Sequence, residues 1–496
     1  MPFLSAAALL ALGLGGATFR VTLPRDVRRE PAQGRLVVFL VREGAHVPED
    51  AEPVDGPFWG DPQPLFGRDA ALAPGKSVLV DDAADGFPIR PSALAPGTYR
   101  AQARFDLARL DSDWRREPKN LWSDVASFTL SDGERQEIAL ALTHVVESQT
   151  LPSVEGVEWF EQRSELLSRF RGHDVLLRAG VVLPKNYDPK RRYPAEYEVS
   201  GFGGNHADAA EEDSNDELSR HCFRIALDPE GPNGHTLFAD SANNGPCGAA
   251  LVRELIPALE AKYPLIAAPS ARILRGHSSG GWSTLWLALT YPEVFGATWS
   301  SAPDPVDFRR LQKVDIYGQP NFYTATDGSD LPSYRRRGKV TMTIRTESRG
   351  EDILGPDNTS GQQWDSWFAV FGPKNERGNP AALFDPETGA IDRAVAESYR
   401  KYDIGELLRK DPQRTVPLFR ERVRLIVGTE DSFYLNEAVE LLEKELAKSS
   451  RSPSDAGYVK LVPGDHGSVF ASEAMRAIPG EMLVHLRRAG HVPAGN

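Results

Sequence analysis

Gly276-His277-Ser278-Ser279-Gly280 constrains this chain more than any other stretch. It follows a strand-like run, Arg272-Ile273-Leu274-Arg275, and leads into a helix-like run from Gly281-Trp282-Ser283. Strand, sharp turn and helix in that order make a nucleophile elbow, which holds a serine in a strained conformation with its Oγ out of the top of a sheet. The glycines are required where strand and helix pass too close for side chains. The motif alone is a weak signal, since an ordinary serine in a glycine-rich turn has the same spelling. Context decides, and in its context Ser278 is the candidate nucleophile for acyl transfer.

At 496 residues the chain exceeds one ordinary core, so more than one domain is expected. Residues 19–147 read as all-β, with strands at Phe19–Leu23, Arg35–Val41 and Gly97–Ala103 and a hairpin from Ala126–Leu130 through Ser131-Asp132-Gly133 to Gln136–Leu140. Short strands between Pro- and Gly-rich loops predict a β-sandwich. Residues 148–172 read as a helical connector, with Phe160, Leu166, Leu167 and Phe170 at helical spacing. From 173 to 496 strands alternate with helices, which predicts an α/β domain with a parallel sheet covered on both faces. Residues 308–420 form an insertion rich in aromatic side chains, and its place after a sheet strand sets it above the sheet's carboxyl edge.

The net charge of −13 supplies no basic field, so nucleic acid is not an expected partner. Residues 1–18 are apolar and small, the pattern of a signal peptide without a basic start, which predicts a secreted or periplasmic protein. The stretch is short for a membrane span and no later one rivals it, so no stable membrane insertion is expected. The two cysteines, Cys222 and Cys247, fall at opposite ends of a strand of about 16 Å, too far for a disulfide. No metal or cofactor is called for; the acidic run Asp208 to Asp213 fits no calcium-loop spacing.

A serine nucleophile needs a base. Of ten histidines, His466 lies just after the last strand in Pro463-Gly464-Asp465-His466-Gly467, where a flexible loop brings it over the elbow. His277 occupies the turn itself and is expected to point away. The base needs a carboxylate, and Asp431 follows the preceding strand, Leu425-Ile426-Val427. Asp304 and Asp307 are rival acids, and a helix N-cap is the alternative role for Asp431. The order Ser, Asp, His is that of α/β-hydrolases. Oxyanion donors are expected from the backbone of Ser279 and from Phe202 in Gly201-Phe202-Gly203-Gly204. Phe202, Gly203, Trp364 and Trp367 are the expected substrate contacts. The two tryptophans, three residues apart, share a helix face that either lines the site or packs as the insertion's own core.

Together these residues resemble the esterase family of α/β-hydrolases that includes esterase D, feruloyl, acetylxylan and enterochelin esterases. The matching stretches are Leu183-Pro184-Lys185-Asn186-Tyr187-Asp188, Arg192-Tyr193-Pro194, Gly201-Phe202-Gly203-Gly204, Leu255-Ile256-Pro257 and Gly276-His277-Ser278-Ser279-Gly280-Gly281. The resemblance implies an α/β-hydrolase fold, a triad of Ser278, Asp431 and His466, and oxyanion donors at Phe202 and Ser279. The implied activity is hydrolysis, through an acyl-enzyme, of a bulky ester that is aromatic or carbohydrate-linked. The substrate is then a small-molecule or polysaccharide-linked ester. The competing readings are a serine peptidase, which would need propeller repeats that are not seen, and a glycan-binding protein of hydrolase shape without catalysis.

Overall fold

The computed structural model describes residues 16–48, 50–56, 58, 60–148, 150–211 and 215–494. The chain divides into two compact units, Met1–Ala108 with Trp114–Ser148, and Arg109–Asp113 with Gln149–Asn496.

In the first unit, the strand Gly16–Thr22 lies between Ser77–Val80, antiparallel, and Arg135–Ala141, parallel. A second sheet is built around Ala32–Arg42 and Gly97–Asp106, which pair antiparallel. Phe19, Val21, Ile138 and Leu140 of the first sheet share one core with Leu36, Val38, Leu40 and Phe105 of the second. One expectation fails here and one boundary shifts. Ala126–Leu130 pairs with Gly97–Asp106 whereas Arg135–Ala141 pairs with Gly16–Thr22, so the turn between them crosses from one sheet to the other and is no hairpin. Residues 16–18, read as the end of a signal peptide, are strand residues, and Ala17 is buried in the core. The rest of that apolar run, 1–15, lies outside the described residues.

The second unit is organised on one eight-stranded sheet. In chain order its strands are β1 (Val157–Arg163), β2 (Leu176–Val182), β3 (Ala195–Val199), β4 (Phe223–Leu227), β5 (Arg272–His277), β6 (Ala297–Ser301), β7 (Val423–Gly428) and β8 (Tyr458–Val462). They lie side by side as β1-β2-β4-β3-β5-β6-β7-β8. From β4 to β8 all pairings are parallel, and β2 and β1 extend the edge antiparallel. The expected helical connector is therefore wrong over 157–163. Trp159 and Phe160 belong to an edge strand, and only Glu165–Arg171 is helical, capped by Ser164. Val157–Arg163 is a strand because all seven of its residues pair with β2, which overrides a few apolar residues at helical spacing.

Successive side chains of these strands go to opposite faces. Leu274 packs with Leu287 and Ala288 of α1 (Ser279–Thr290), while Ile273 packs with Ile478, Met482 and Leu486 at the C-terminal end of the chain. Both faces are covered, which is why β7, apolar except for Arg424, is buried throughout. The long segment between β6 and β7 carries α2 (Ile344–Leu354) and α3 (Gln363–Phe371), and its Phe322, Trp364, Trp367, Phe371 and Phe384 join Trp282 and Leu285 of α1 in one core. It also carries a hairpin, Pro332–Arg336 with Lys339–Thr343, turned at Arg337 and Gly338, both at positive φ. Among the described residues no helix is long and apolar enough to cross a membrane.

Candidate active site

Ser278 sits between the end of β5 and the start of α1 with φ 58° and ψ −125°, a conformation that costs a non-glycine residue energy and persists only where its surroundings enforce it. The enforcement is visible. Ser278 N donates to Ser301 O on β6, and Ser278 O accepts from Trp282 N and Asp304 N. The glycines are a matter of contact: a Cβ on Gly276 would lie 2.2 Å from Gly280 O, and one on Gly280 would lie 1.9 Å from Val199 O. Only hydrogen fits where α1 crosses β3 and β5.

Asp431 and His466 meet across the ends of β7 and β8. His466 Nδ1 lies 2.7 Å from Asp431 Oδ2, and the aspartate is fully buried. Its other oxygen, Oδ1, accepts from Phe433 N at 2.9 Å and Leu435 N at 3.3 Å, so Asp431 fixes its own loop with one oxygen and His466 with the other; the N-cap of the helix that begins at Leu435 is Tyr434, not Asp431. The rival acids are engaged elsewhere. Asp307 binds Arg309 and Arg409. Asp304 Oδ2 accepts from Ser279 Oγ at 2.7 Å and Trp367 Nε1 at 2.9 Å, and burial pushes its carboxyl up to about 6 against those two hydrogen bonds.

His277 does not point away. Its ring centroid is 4.5 Å from that of His466 and 4.5 Å from that of Phe470, and Nδ1 lies 2.9 Å from Ser301 Oγ. Burial, with the neighbouring His466, holds its pKa well below the usual histidine range, so it stays neutral beside the site. Phe433 also meets His466 edge-on at 4.9 Å. His466 thus touches two rings, one of them from the elbow.

The glycine turn after β3 lies against the elbow: a Cβ on Gly201 would stand 3.4 Å from Ser278 Cβ. Phe202 and Gly203 are half-buried in that turn. The turn is braced from behind, since Ser200 Oγ donates to Asp208 Oδ2 at 2.6 Å and the fully buried His235 lies with Nε2 3.0 Å from Ser200 O. His235 Nδ1 accepts from Leu237 N at 3.1 Å, which makes Nε2 the protonated nitrogen. Burial takes His235 down to about 4, so the ring keeps that single neutral form. A cavity of about 250 Å³ lies beside Gly276 and His277 of the elbow, lined also by Glu198, Asp208, Arg275 and Phe470, and neither Ser278 nor His466 is in its wall.

Trp364 and Trp367 do not line an open site. They are 1% and 2% exposed and pack edge to face with each other at 5.0 Å, Trp364 also against Phe322. Large apolar rings on a helix face are drawn into the insertion's own core. Reasoning from sequence passed over His235, Phe433 and Phe470. Phe433 and Phe470 stand two and four residues beyond Asp431 and His466, a proximity that would have pointed to them; His235 carries no such signal. Cys222 and Cys247 are separate buried thiols.

Residues 176–469 match the family model described as Putative esterase. No curated protein matches the chain. Among solved structures, the chain is similar to a ferulic acid esterase, at 14% identity and TM-score 0.40 over 66% of this chain and 98% of that one. It is likewise similar to an S-formylglutathione hydrolase from Agrobacterium tumefaciens, at 14% identity and TM-score 0.40 over 68% and 98%. The family match, which spans more than half of the chain, carries the assignment.

Proposed function

The chain belongs to the Putative esterase family, ester hydrolases of α/β-hydrolase fold, and from that premise we propose that it works as a serine carboxylesterase with Ser278 as nucleophile, His466 as base and Asp431 as the orienting acid. The observation that carries the reading is the 2.7 Å contact between His466 Nδ1 and a buried carboxylate, with the His466 ring against His277 of the elbow whose Ser278 stands at positive φ. With Nδ1–H donated to Asp431, Nε2 is left as an acceptor, the tautomer a general base needs.

In this reading Ser278 Oγ attacks the ester carbonyl carbon and its proton passes to His466 Nε2. The carbonyl oxygen becomes an oxyanion, held by the backbone N–H groups of Ser279 and Phe202. As the tetrahedral centre collapses, the bond to the alcohol oxygen breaks and that oxygen takes the proton from His466. Water then attacks the acyl-serine, giving its proton to His466, and the acid leaves as Ser278 regains its hydrogen. Asp431 stabilises the imidazolium in both halves. His277, neutral through burial, adds no competing positive charge beside it.

The expected substrate is a bulky ester with an aromatic or carbohydrate-linked part. What supports an aromatic part is the set of rings around the base: Phe433 against His466, and Phe470 against His277, which itself adjoins His466. We further read the first unit as a β-sandwich, and the apolar start of the chain as an export signal. The test is hydrolysis of short aryl esters by the wild type and by Ser278→Ala. The variant should lose several orders of magnitude in kcat while keeping its far-UV spectrum; ordinary turnover by a folded variant would overturn the assignment.

A further inference from the structure

The hairpin of the insertion reaches the candidate site where Trp364 and Trp367 do not. Arg335 holds the loop that carries Asp431 at three points. Its backbone N donates to Ser432 O at 2.9 Å, its Nε donates to Asp431 O at 3.0 Å, and its guanidinium lies over the Tyr434 ring at 4.6 Å. Next to it, Tyr334 stacks obliquely on Phe433 with centroids 5.0 Å apart, and Phe433 in turn meets the edge of His466 at 4.9 Å. Tyr334 and Phe433 are both half-buried, unlike the core tryptophans. One short element therefore sets the position of the acid's loop and places a second aromatic ring alongside the one that covers the base.

We propose that this hairpin is the specificity element of the site: Tyr334 and Phe433 form an aromatic wall beside His466 on which a flat apolar group of the ester stacks, and Arg335 is the positioning residue that keeps wall and Asp431 in register. The proposal rests on the reading of Ser278, Asp431 and His466 as the active site. Its physical basis is that rings offer a flat, low-entropy surface to another ring and that a guanidinium bound to a backbone carbonyl and stacked on a ring fixes a loop more firmly than apolar contact. The two strands of the hairpin are joined by a tight turn at Arg337-Gly338, both at positive φ, and their pairing is irregular on either side of Tyr334.

The test compares three esters: vinyl acetate, with no ring; phenyl acetate, with the ring on the alcohol; and methyl cinnamate, with the ring on the acyl part. Tyr334→Ala should lower kcat/KM for one or both ring-bearing esters by about three- to tenfold more than for vinyl acetate, mainly through KM. Which of the two falls tells which side of the ester meets the wall. Arg335→Ala should instead lower kcat on all three esters with little change in KM, and Arg335→Lys, which can still reach a carbonyl, should recover part of it. Equal losses from Tyr334→Ala on all three esters, or none, would overturn the aromatic wall. A kcat for Arg335→Lys no better than for Arg335→Ala would overturn the positioning role. If the wild type hydrolyses none of the three, the esterase reading itself fails, which separates the two outcomes. Should Arg335→Ala fail to fold, Tyr334→Ala still decides the wall, and Arg335→Met, of similar length without a donor, takes its place in the comparison with Arg335→Lys.

Discussion

Asp431→Asn isolates the part of the site that depends on a single proton. In the native protein Oδ1 is committed to two backbone donors, Phe433 N and Leu435 N, and Oδ2 to His466 Nδ1. An asparagine must keep its oxygen toward the two backbone N–H groups, because turning its NH2 there would set donor against donor. The amide N–H then faces His466 Nδ1, which can only accept it, and the ring is driven to the Nε2–H tautomer. That tautomer cannot take a proton from Ser278. The same change of a carboxylate for an amide in a serine protease triad costs about four orders of magnitude in kcat, equivalent to about 5.4 kcal/mol of transition-state stabilisation. Folding should be almost unaffected, since shape and the two loop hydrogen bonds are kept. Asp431→Ala, by contrast, also strands two backbone N–H groups, at about 1–3 kcal/mol each. The assay is steady-state hydrolysis of p-nitrophenyl acetate with thermal unfolding in parallel. A kcat for Asp431→Asn within tenfold of wild type, in a protein of unchanged melting temperature, would refute the reasoning.

Three further outcomes are expected. Gly280→Ala puts a methyl 1.9 Å from Val199 O, backbone against backbone, and should cost about 3 kcal/mol or more in a denaturant titration, with activity falling because the Ser279 N–H is displaced; a stable and fully active variant would contradict the packing. His235 has a folded pKa near 4, below its unfolded value, so its contribution to stability is present above about pH 6.5 and is lost as pH falls toward 4; His235→Asn should lose less stability than wild type over that range, and parallel stability profiles would refute this. Glu347, buried on α2, is pushed up to about 7 by its surroundings, so its cost grows as pH rises from its unfolded value near 4.5 to 7; Glu347→Gln should be more stable than wild type at pH 8, by up to about 3 kcal/mol, with no gain at pH 4.5.

What could be read in the sequence was local. The elbow announces itself because glycines, serine and flanking strand and helix are contiguous, and Asp431 and His466 because each directly follows a strand. The same reasoning failed where a decision depended on long-range pairing. Nothing local in Val157–Arg163 distinguishes an edge strand from a helix, since the deciding partner is β2. Nor does Arg135–Ala141 reveal that it pairs with Gly16–Thr22 instead of with its neighbour in sequence. At the site, helical spacing put Trp364 and Trp367 on one face but not on which side of the insertion that face lies; burial of two large rings settled it toward the core. His235 was invisible because its role, a hydrogen bond to Ser200 O from 35 residues away, exists only in the fold.

The central claim is that Ser278 forms a covalent bond to the acyl group. It is tested most directly by incubating the protein with a phosphonate that reacts with activated serines and locating the adduct by peptide mass spectrometry. One adduct is expected, on the peptide containing Ser278, formed in step with loss of esterase activity, absent from Ser278→Ala and slowed by orders of magnitude in Asp431→Asn. Labelling at another residue, or loss of activity without an adduct on Ser278, would contradict it.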